Sequence, residues 1–256
     1  MITSFKGGVG KSTITANLAL SLAKCQKRTL ALDCDFNMRC LDLIMGLEDR
    51  VIYDVCDVVT QRVPPEKAVI RDERSENLFF LAAPYTFHDT IEPAAFCNTV
   101  KALEEAYDLD YILLDTPGDN GFPHALACAA ADMAFVIATH QPTSIRAAER
   151  TAEQLQKAGI RNRRLIINHF DFAAVRRGIR PGVTDIIDRT SIQLIGVVPY
   201  DTDFSRLQEH GALIDTLRDS PACVALANIT SRIINPSANV PLFSGLGRTE
   251  RRIARM

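Results

Sequence analysis

The sequence predicts an α/β fold in which helices cover both faces of one mostly parallel sheet of about seven or eight strands. Three observations support this prediction. Short runs that are apolar on both faces alternate with longer stretches of helical periodicity. A glycine-rich segment lies between the first apolar run and the first helical stretch. The composition, with 47% hydrophobic and 23% charged residues, is that of an ordinary globular domain.

Seven apolar runs are predicted strands, because each has the length and composition of a strand buried between two layers. They are residues 1–4, 28–34, 77–83, 110–115, 133–139, 164–168 and 192–198. Helices are predicted between them at roughly 11–26, 92–107, 143–158 and 183–190. The first strand is short for a central strand, since only four residues precede Phe5. We therefore expect the natural gene product to begin a few residues earlier, or this strand to be truncated.

The chain is predicted to contain one domain, residues 1–234, followed by a linker and a basic tail, residues 235–256. The linker prediction rests on residues 235–245, which contain two prolines and several small polar residues. The last eleven residues, LGRTERRIARM, contain four arginines and one glutamate.

Charge and composition exclude several classes of protein. The formal net charge of -2 is not that of a polycation, so any contact with nucleic acid or membrane must come from a local patch. No apolar run approaches the roughly 18 residues of a transmembrane helix, and no signal peptide is recognisable. None of the seven cysteines forms a C-x-C or C-x-x-C pair, which favours reduced cysteines in a cytosolic protein.

The segment SFKGGVGKST, residues 4–13, has the composition of a phosphate-binding loop. Glycines allow backbone N–H groups to converge on a phosphate, a lysine ammonium reaches the β and γ phosphates, and a serine hydroxyl binds Mg²⁺. The order of strand, loop and helix predicts a single doubly wound P-loop NTPase domain and disfavours a simple glycine turn. The predicted nucleotide-binding residues are Gly7, Gly8, Val9, Gly10, Lys11, Ser12 and Thr13. Phe5 stands where the usual pattern has its first glycine.

Carboxylates at the ends of two predicted strands are candidates for metal binding and catalysis. Asp115 closes the run YILLD and could hold Mg²⁺, while Gly118 and Gly121 give the following segment the freedom that a γ-phosphate sensor needs. Asp33 and Asp35 lie two apart at the end of another strand and are expected to point the same way. One could orient the attacking water and the other serve Mg²⁺, although either could instead form a turn or a helix cap.

The motif K-G-G-V-G-K-S, with a second lysine at Lys6, resembles the deviant Walker A motif of the MinD/ParA family of ATPases. That family tolerates residues such as Phe5 in place of the first glycine. Further similar segments occur in the family's order over about residues 1–210, including RSENLFFLAA, QPTSIRAAER, LIINHF and IGVVPYDTD. Residues 41–59 favour the MinD branch over the ParA branch.

The resemblance implies particular roles for individual residues. Lys6 would be the signature lysine, reaching across a dimer to the phosphates bound by the partner subunit, as an arginine finger does in trans. Asp33 would position the attacking water, with Lys6 and Lys11 as the other catalytic residues. The metal ligands would be Ser12, Asp35 and Asp115. Asn168 would hydrogen-bond adenine and Pro199 would lie close to the base, although Asn168 could also be a turn residue.

Two departures from the family pattern concern the switch segments. Cys40 stands where the MinD branch usually has asparagine, and the sequence GDNG, residues 118–121, replaces the usual AGIE. These changes place the rate of hydrolysis and the response to an activator in question, while phosphate binding is still expected.

The tail is expected to bind a membrane surface. On a helix, Leu242, Leu246, Ile253 and Met256 share one face, and the arginines lie mostly elsewhere. Such a basic amphipathic segment is typical of membrane-surface helices, and a pair of tails on an ATP-linked dimer would gain by avidity. The predicted membrane residues are Leu242, Phe243, Leu246 and Ile253. A solvated arginine-rich tail is the alternative.

The favoured function is an ATP-dependent dimerisation switch that binds ATP and Mg²⁺ and hydrolyses ATP slowly. It would be cytoplasmic, attached peripherally to the inner face of the cell membrane, and used in the placement of the division site or of a cell structure with an activating partner protein. The alternative is a ParA-type partition ATPase that binds DNA through basic runs at 161–164 and 176–180. A metallocentre assembly protein is disfavoured by the absence of paired cysteines, and a non-hydrolysing regulatory module stays open because of residues 118–121.

Overall fold

A computed structural model describes residues 1–36, 38–86, 91–208, 213, 220–237, 240 and 242. Its strands are β1 Ile2–Thr3, β2 Thr29–Asp33, β3 Ile70–Arg71, β4 Leu78–Leu81, β5 Tyr111–Asp115, β6 Met133–Ala138, β7 Asn162–Phe170 and β8 Leu194–Pro199. Its α-helices are α1 Lys11–Lys24, α2 Leu41–Met45, α3 Val55–Val59, α4 Pro65–Ala68, α5 Pro93–Tyr107, α6 Phe122–Ala130, α7 Pro142–Lys157, α8 Phe172–Arg176, α9 Val183–Thr190, α10 Thr202–Gln208 and α11 Pro221–Ile234. A short 3₁₀ helix spans Glu48–Arg50.

All eight described strands belong to one sheet, in the order β3-β4-β2-β5-β1-β6-β7-β8. Every neighbouring pair is parallel except β3 and β4, so the predicted mostly parallel sheet is confirmed. The edge strand β3 was not predicted, because two residues are too few to show an alternating pattern. β1 is as short as the sequence suggested and lies at the centre, between β5 and β6.

Helices cover both faces of the sheet, as expected for a doubly wound fold. On one face α1 packs beside α2 and α11, with Leu18 and Ile229 buried in the same apolar cluster. On the other face α5, α6, α7 and α9 contribute Phe96, Leu126, Ile145 and Ile186 to a second cluster. Because both faces are covered, the central strands are apolar in every direction, which is why their sequences do not alternate.

Several short helices were not predicted because they are too short for a helical period to be visible. α3 begins with a capping box in which Asp54 accepts from the backbone N–H of Asp57, and the Asp57 side chain accepts from the N–H of Asp54. The longer helix α11 begins with two residues typical of a helix start. The Ser220 side chain caps it, and Pro221 occupies its first position.

The described part of the tail is small. Leu242 is 40% exposed, whereas the other predicted membrane residues, Phe243, Leu246 and Ile253, lie outside the described residues. Among the helices that the structure describes, none combines the length and the apolar character needed to span a bilayer.

Candidate nucleotide-binding site

The glycine-rich loop connects the carboxyl end of β1 with the first turn of α1 at the centre of the sheet. Gly8 and Gly10 have φ angles of +73° and +89°, a left-handed conformation that side chains disfavour. Gly10 is the N-cap of α1 and has no side chain to occupy the helix start. The N–H groups of the first turn are therefore presented to an anion, together with the positive end of the helix dipole.

Asn168 stands directly beside this loop and braces it. Its buried side-chain amide donates a 2.9 Å hydrogen bond to the carbonyl oxygen of Val9. A Cβ atom at Gly10 would lie only 2.4 Å from Nδ2 of Asn168, so the fit leaves room for glycine alone. The sequence predicted that Asn168 would contact adenine, and that role stays a prediction; the bracing contact with the loop was not foreseen.

Lys11 is the first residue of α1 and is buried, with 8% of its surface exposed. Burial lowers the pKa of its ammonium, while the charges of Asp115, Asp35 and Asp119 act in the opposite direction. Its Nζ atom donates to the carbonyl oxygen of Lys6 at 3.5 Å. One buried ammonium thus faces carboxylates from three different segments, which is the arrangement that a triphosphate with a divalent cation would complete.

Asp115 supplies a buried carboxylate beside the start of α1. Its Oδ1 atom lies 2.9 Å from the Thr15 hydroxyl, and the Ser12 hydroxyl also hydrogen-bonds this carboxylate. Its Oδ2 atom is buried without a hydrogen-bond partner among the described residues. An orphaned carboxylate oxygen near a serine hydroxyl fits the oxygen ligands that Mg²⁺ prefers. The sequence did not lead to a prediction for Thr15. Its position one helical turn after Lys11 could have indicated it, because the two residues share a face of α1.

The pKa of Asp115 is raised from 3.8 to about 6, chiefly because burial penalises its charged form. Its folded pKa exceeds its unfolded pKa, so the stability that this carboxyl contributes is present in acid and is lost as the pH rises from 3.8 through about 6. At neutral pH the buried carboxylate is ionised and destabilises the fold, because it has lost its hydration. A bound cation would offset this cost of desolvation.

Asp33 and Asp35, which were expected to point the same way, have different surroundings. β2 ends at Asp33, so the alternation of a strand does not continue to Asp35. Asp33 is fully buried, and its two oxygens accept from the backbone N–H groups of Asp35 at 2.8 Å and Leu41 at 3.2 Å. Burial, and next the charge of Asp115, raise the pKa of Asp33. Asp35 is half-buried, and its carboxylate lies within the electrostatic reach of Lys11.

The segment after β5 packs directly against the phosphate loop. A Cβ atom at Gly118 would lie 3.1 Å from the backbone nitrogen of Gly7, so these two glycines allow the segments to touch. The Gly121 N–H donates a 2.7 Å hydrogen bond to the Asp119 carboxylate, and α6 begins at the next residue. The predicted second switch is therefore joined to the loop by a backbone contact.

Two aromatic rings that were not predicted, those of His169 and Tyr200, form a pair beside Gly10 of the loop. Tyr200 is 57% exposed and its ring meets that of His169 edge to face, at 6.2 Å between centroids. Nε2 of His169 is 3.8 Å from the position of a Cβ atom at Gly10. Pro199, predicted to lie close to the base, is buried at the end of β8, and its contact with the base stays a prediction. The next residue, Tyr200, has an exposed ring that a ligand could reach. Its position immediately after a strand end was the available signal.

The carboxyl edge of the sheet brings together most of the predicted site. The loop from Gly7 to Thr13 lies there with Asp33, Asp35, Asp115 and Asn168. The family model of the CobQ/CobB/MinD/ParA nucleotide binding domain matches residues 1–214 of the chain. The chain belongs to this family. It is a nucleotide-binding P-loop protein, and the resemblance stated from the loop is confirmed.

Comparison with characterised relatives places the chain among MinD proteins. It is 35% identical to the septum site-determining protein MinD of Bacillus subtilis (strain 168) over 247 residues, which cover 94% of this chain and 90% of the relative. MinD of Helicobacter pylori is also 35% identical, with 91% and 89% covered.

Solved structures agree with this placement. The MinC:MinD cell division protein complex of Aquifex aeolicus contains a chain with a TM-score of 0.86 and 34% identity, covering 95% of this chain and 98% of that one. A ParA family ATPase from Chlorobium tepidum TLS shares the fold, with a TM-score of 0.75, at only 20% identity and with 89% of this chain and 95% of that one covered. The predicted preference for the MinD branch over the ParA branch is confirmed, and the chain is an ATPase of the MinD type.

Proposed function

We propose that this MinD-type ATPase is a nucleotide switch for placement of the division septum: it binds ATP with Mg²⁺, dimerises on ATP and is released by slow hydrolysis. The observation that carries the proposal is the complete deviant phosphate loop, with both Lys6 and Lys11, in a chain that aligns with septum site-determining proteins over 94% of its length.

The residues at the loop fit ATP and Mg²⁺. Ser12 and Asp115 would hold the cation, because a hydroxyl and an orphaned carboxylate oxygen lie together there. The cation would neutralise charge on the phosphates. Lys11 and the N–H groups of Gly7 to Ser12 would bind the phosphate oxygens, and burial of the Lys11 ammonium strengthens that attraction.

We assign the positioning of the attacking water to Asp35, and to Asp33 the anchoring of the backbone at Asp35 and Leu41. Both oxygens of Asp33 already accept backbone N–H groups, whereas Asp35 keeps its carboxylate near Lys11. Asp35→Asn is expected to lower single-turnover ATP hydrolysis by about a hundred-fold, with little change in affinity for ADP. Asp33→Asn is the matched variant and should mainly lower the free energy of unfolding. If Asp33→Asn abolishes hydrolysis in a protein of native stability while Asp35→Asn does not, the assignment is reversed.

A partner protein and a membrane surface complete the proposal. The related chain from Aquifex aeolicus was solved in complex with MinC, which supports a protein partner for this chain as well. Membrane attachment would come from the basic tail, residues 242–256, with one weak site on each subunit of an ATP dimer. The protein would then be cytoplasmic as a monomer and attached to the inner face of the membrane as a dimer.

Co-sedimentation tests this proposal. The full chain and a chain lacking residues 242–256 are spun with anionic liposomes, or with DNA, in the presence of ATP or ADP and Mg²⁺. We expect the full chain to sediment with liposomes in ATP, several-fold more than in ADP because two tails bind together, and the shortened chain to stay in solution. Equal binding in both nucleotides and in both chains would contradict the membrane switch. Binding to DNA alone would favour the ParA-type alternative.

A further inference from the structure

Phe5, the residue that departs from the usual phosphate-loop pattern, is fixed by two helices. Its ring meets the ring of His124 on α6 edge to face, with centroids 5.0 Å apart and an interplanar angle of 65°. Its backbone N–H donates a 3.1 Å hydrogen bond to the Thr151 hydroxyl on α7. The side chain at this position is therefore part of a contact between the loop and the opposite face of the sheet.

His124 is held on both sides of its ring. It is 4% exposed, and its Nε2 atom lies 3.1 Å from the Thr3 hydroxyl of β1. Its Nδ1 atom lies 3.6 Å from Sγ of Cys128, one turn further along α6. Burial lowers the pKa of His124, which favours a neutral ring with one donor and one acceptor nitrogen. A ring fixed in this way is a rigid surface for Phe5.

The position of His124 in the chain gives this contact its meaning. α6 starts at Phe122, directly after residues 116–121, the segment that contains the second-switch sequence GDNG at 118–121. Gly118 within that segment touches Gly7 of the loop, as described above. The segment is thus held to the phosphate loop at two points, by Gly118 on Gly7 and by His124 on Phe5. Neither Phe5 nor His124 takes part in the site as assigned so far.

We propose that Phe5 and His124 form an aromatic clamp that positions the second switch against the phosphate loop and thereby sets the rate of ATP hydrolysis. This inference deepens the proposed function and rests on it. The clamp fixes the backbone next to two functional parts of the site, the signature lysine and the second switch. Phe5 precedes Lys6, and His124 follows the segment that holds Asp119, whose charge acts on Lys11. Phosphate binding itself depends on Gly7 to Ser12, so affinity for nucleotide should change little.

Hydrogen exchange of the nucleotide-free protein is the first test. His124→Ala and Phe5→Gly should each raise the exchange of amides in residues 116–124, because the segment loses one of its contacts with the phosphate loop. The double variant should exchange more slowly than the sum of the two single effects predicts, since both substitutions remove the contact between Phe5 and His124. Tyr107→Ala is the matched control. It removes a similar edge-to-face pair with Phe79, at 5.3 Å, away from the loop, and should leave residues 116–124 unchanged.

Single-turnover hydrolysis with excess protein is the second test. His124→Ala and Phe5→Gly should each slow hydrolysis about five-fold, the factor that an edge-to-face pair is worth, with ADP affinity within about two-fold of wild type. His124→Phe keeps an aromatic ring for Phe5 and should restore most of the rate. His124→Gln keeps hydrogen-bonding groups without an aromatic ring and should not.

The outcomes separate the clamp from a purely structural role. Wild-type exchange in residues 116–124 for both single variants, or strictly additive effects in the double variant, would overturn the clamp. So would a loss of rate that His124→Gln restores and His124→Phe does not. If the wild-type protein itself binds no ATP or hydrolyses none, the proposed function fails, and exchange in the nucleotide-free protein still decides whether the clamp exists.

Discussion

Gly10→Ala is expected to abolish nucleotide binding and to destabilise the protein. Gly10 has a φ of +89°, which costs an alanine about 1 kcal/mol or more. A Cβ atom there would also lie 2.4 Å from the side chain of Asn168, which is buried and holds the Val9 carbonyl. Either Asn168 or the loop must move, and the N–H groups then no longer converge. Isothermal titration with ADP should show a loss of about a hundred-fold or more in affinity.

Gly159→Ala separates backbone strain from the fit at Asn168. Gly159 has nearly the same φ, +85°, but a Cβ atom there would meet nothing within 4 Å, and it lies beyond the end of α7. We expect this variant to lose only the strain energy in urea unfolding and to bind ADP as wild type does. Equal losses of stability in the two variants would mean that the contact between Gly10 and Asn168 carries no energy.

Lys6→Ala is expected to abolish ATP-dependent dimerisation and to leave nucleotide binding mostly intact. Lys6 is half-exposed on the loop, and among the described residues only its backbone carbonyl has a partner, the Lys11 ammonium. Its own ammonium is therefore available to phosphates bound by a second subunit. A cation supplied in trans contributes a factor of about a thousand or more to phosphoryl transfer, so hydrolysis should fall with dimerisation.

Size-exclusion chromatography with light scattering, in ATP and Mg²⁺, measures the dimer directly. Lys101→Ala, which removes an exposed lysine on α5 at a distance from the loop, is the control and should dimerise like wild type. Dimerisation of Lys6→Ala on ATP would show that Lys6 does not bridge the subunits.

Local sequence predicted the parts of the site that depend on backbone chemistry. The spacing of Gly7, Gly8, Gly10 and Lys11 is informative because few other residues allow N–H groups to converge at the start of a helix. Asp115 was also predictable, because a carboxylate at the end of an apolar strand stands at the edge where such sheets bind ligands.

The roles of Asp33 and Asp35 needed the structure. From sequence both follow the same strand, and an alternating pattern gave them the same direction. The alternating pattern ends where the strand ends, and beyond that point the turn sets the direction of each side chain. Here Asp33 accepts hydrogen bonds from the backbone N–H groups of Asp35 and Leu41.

The fold class, the family and the phosphate loop could be predicted from the sequence alone, because these rest on short-range patterns of glycine, apolar runs and charge. Which distant residues touch the loop depends on the tertiary structure. Asn168, Gly118 and His124 are separated from it by more than a hundred residues, and the sheet brings them together because its parallel strands end at one edge. The meaning of Phe5 was decided in the same way: the aromatic ring at the departing position has a partner on α6 that no local pattern could reveal.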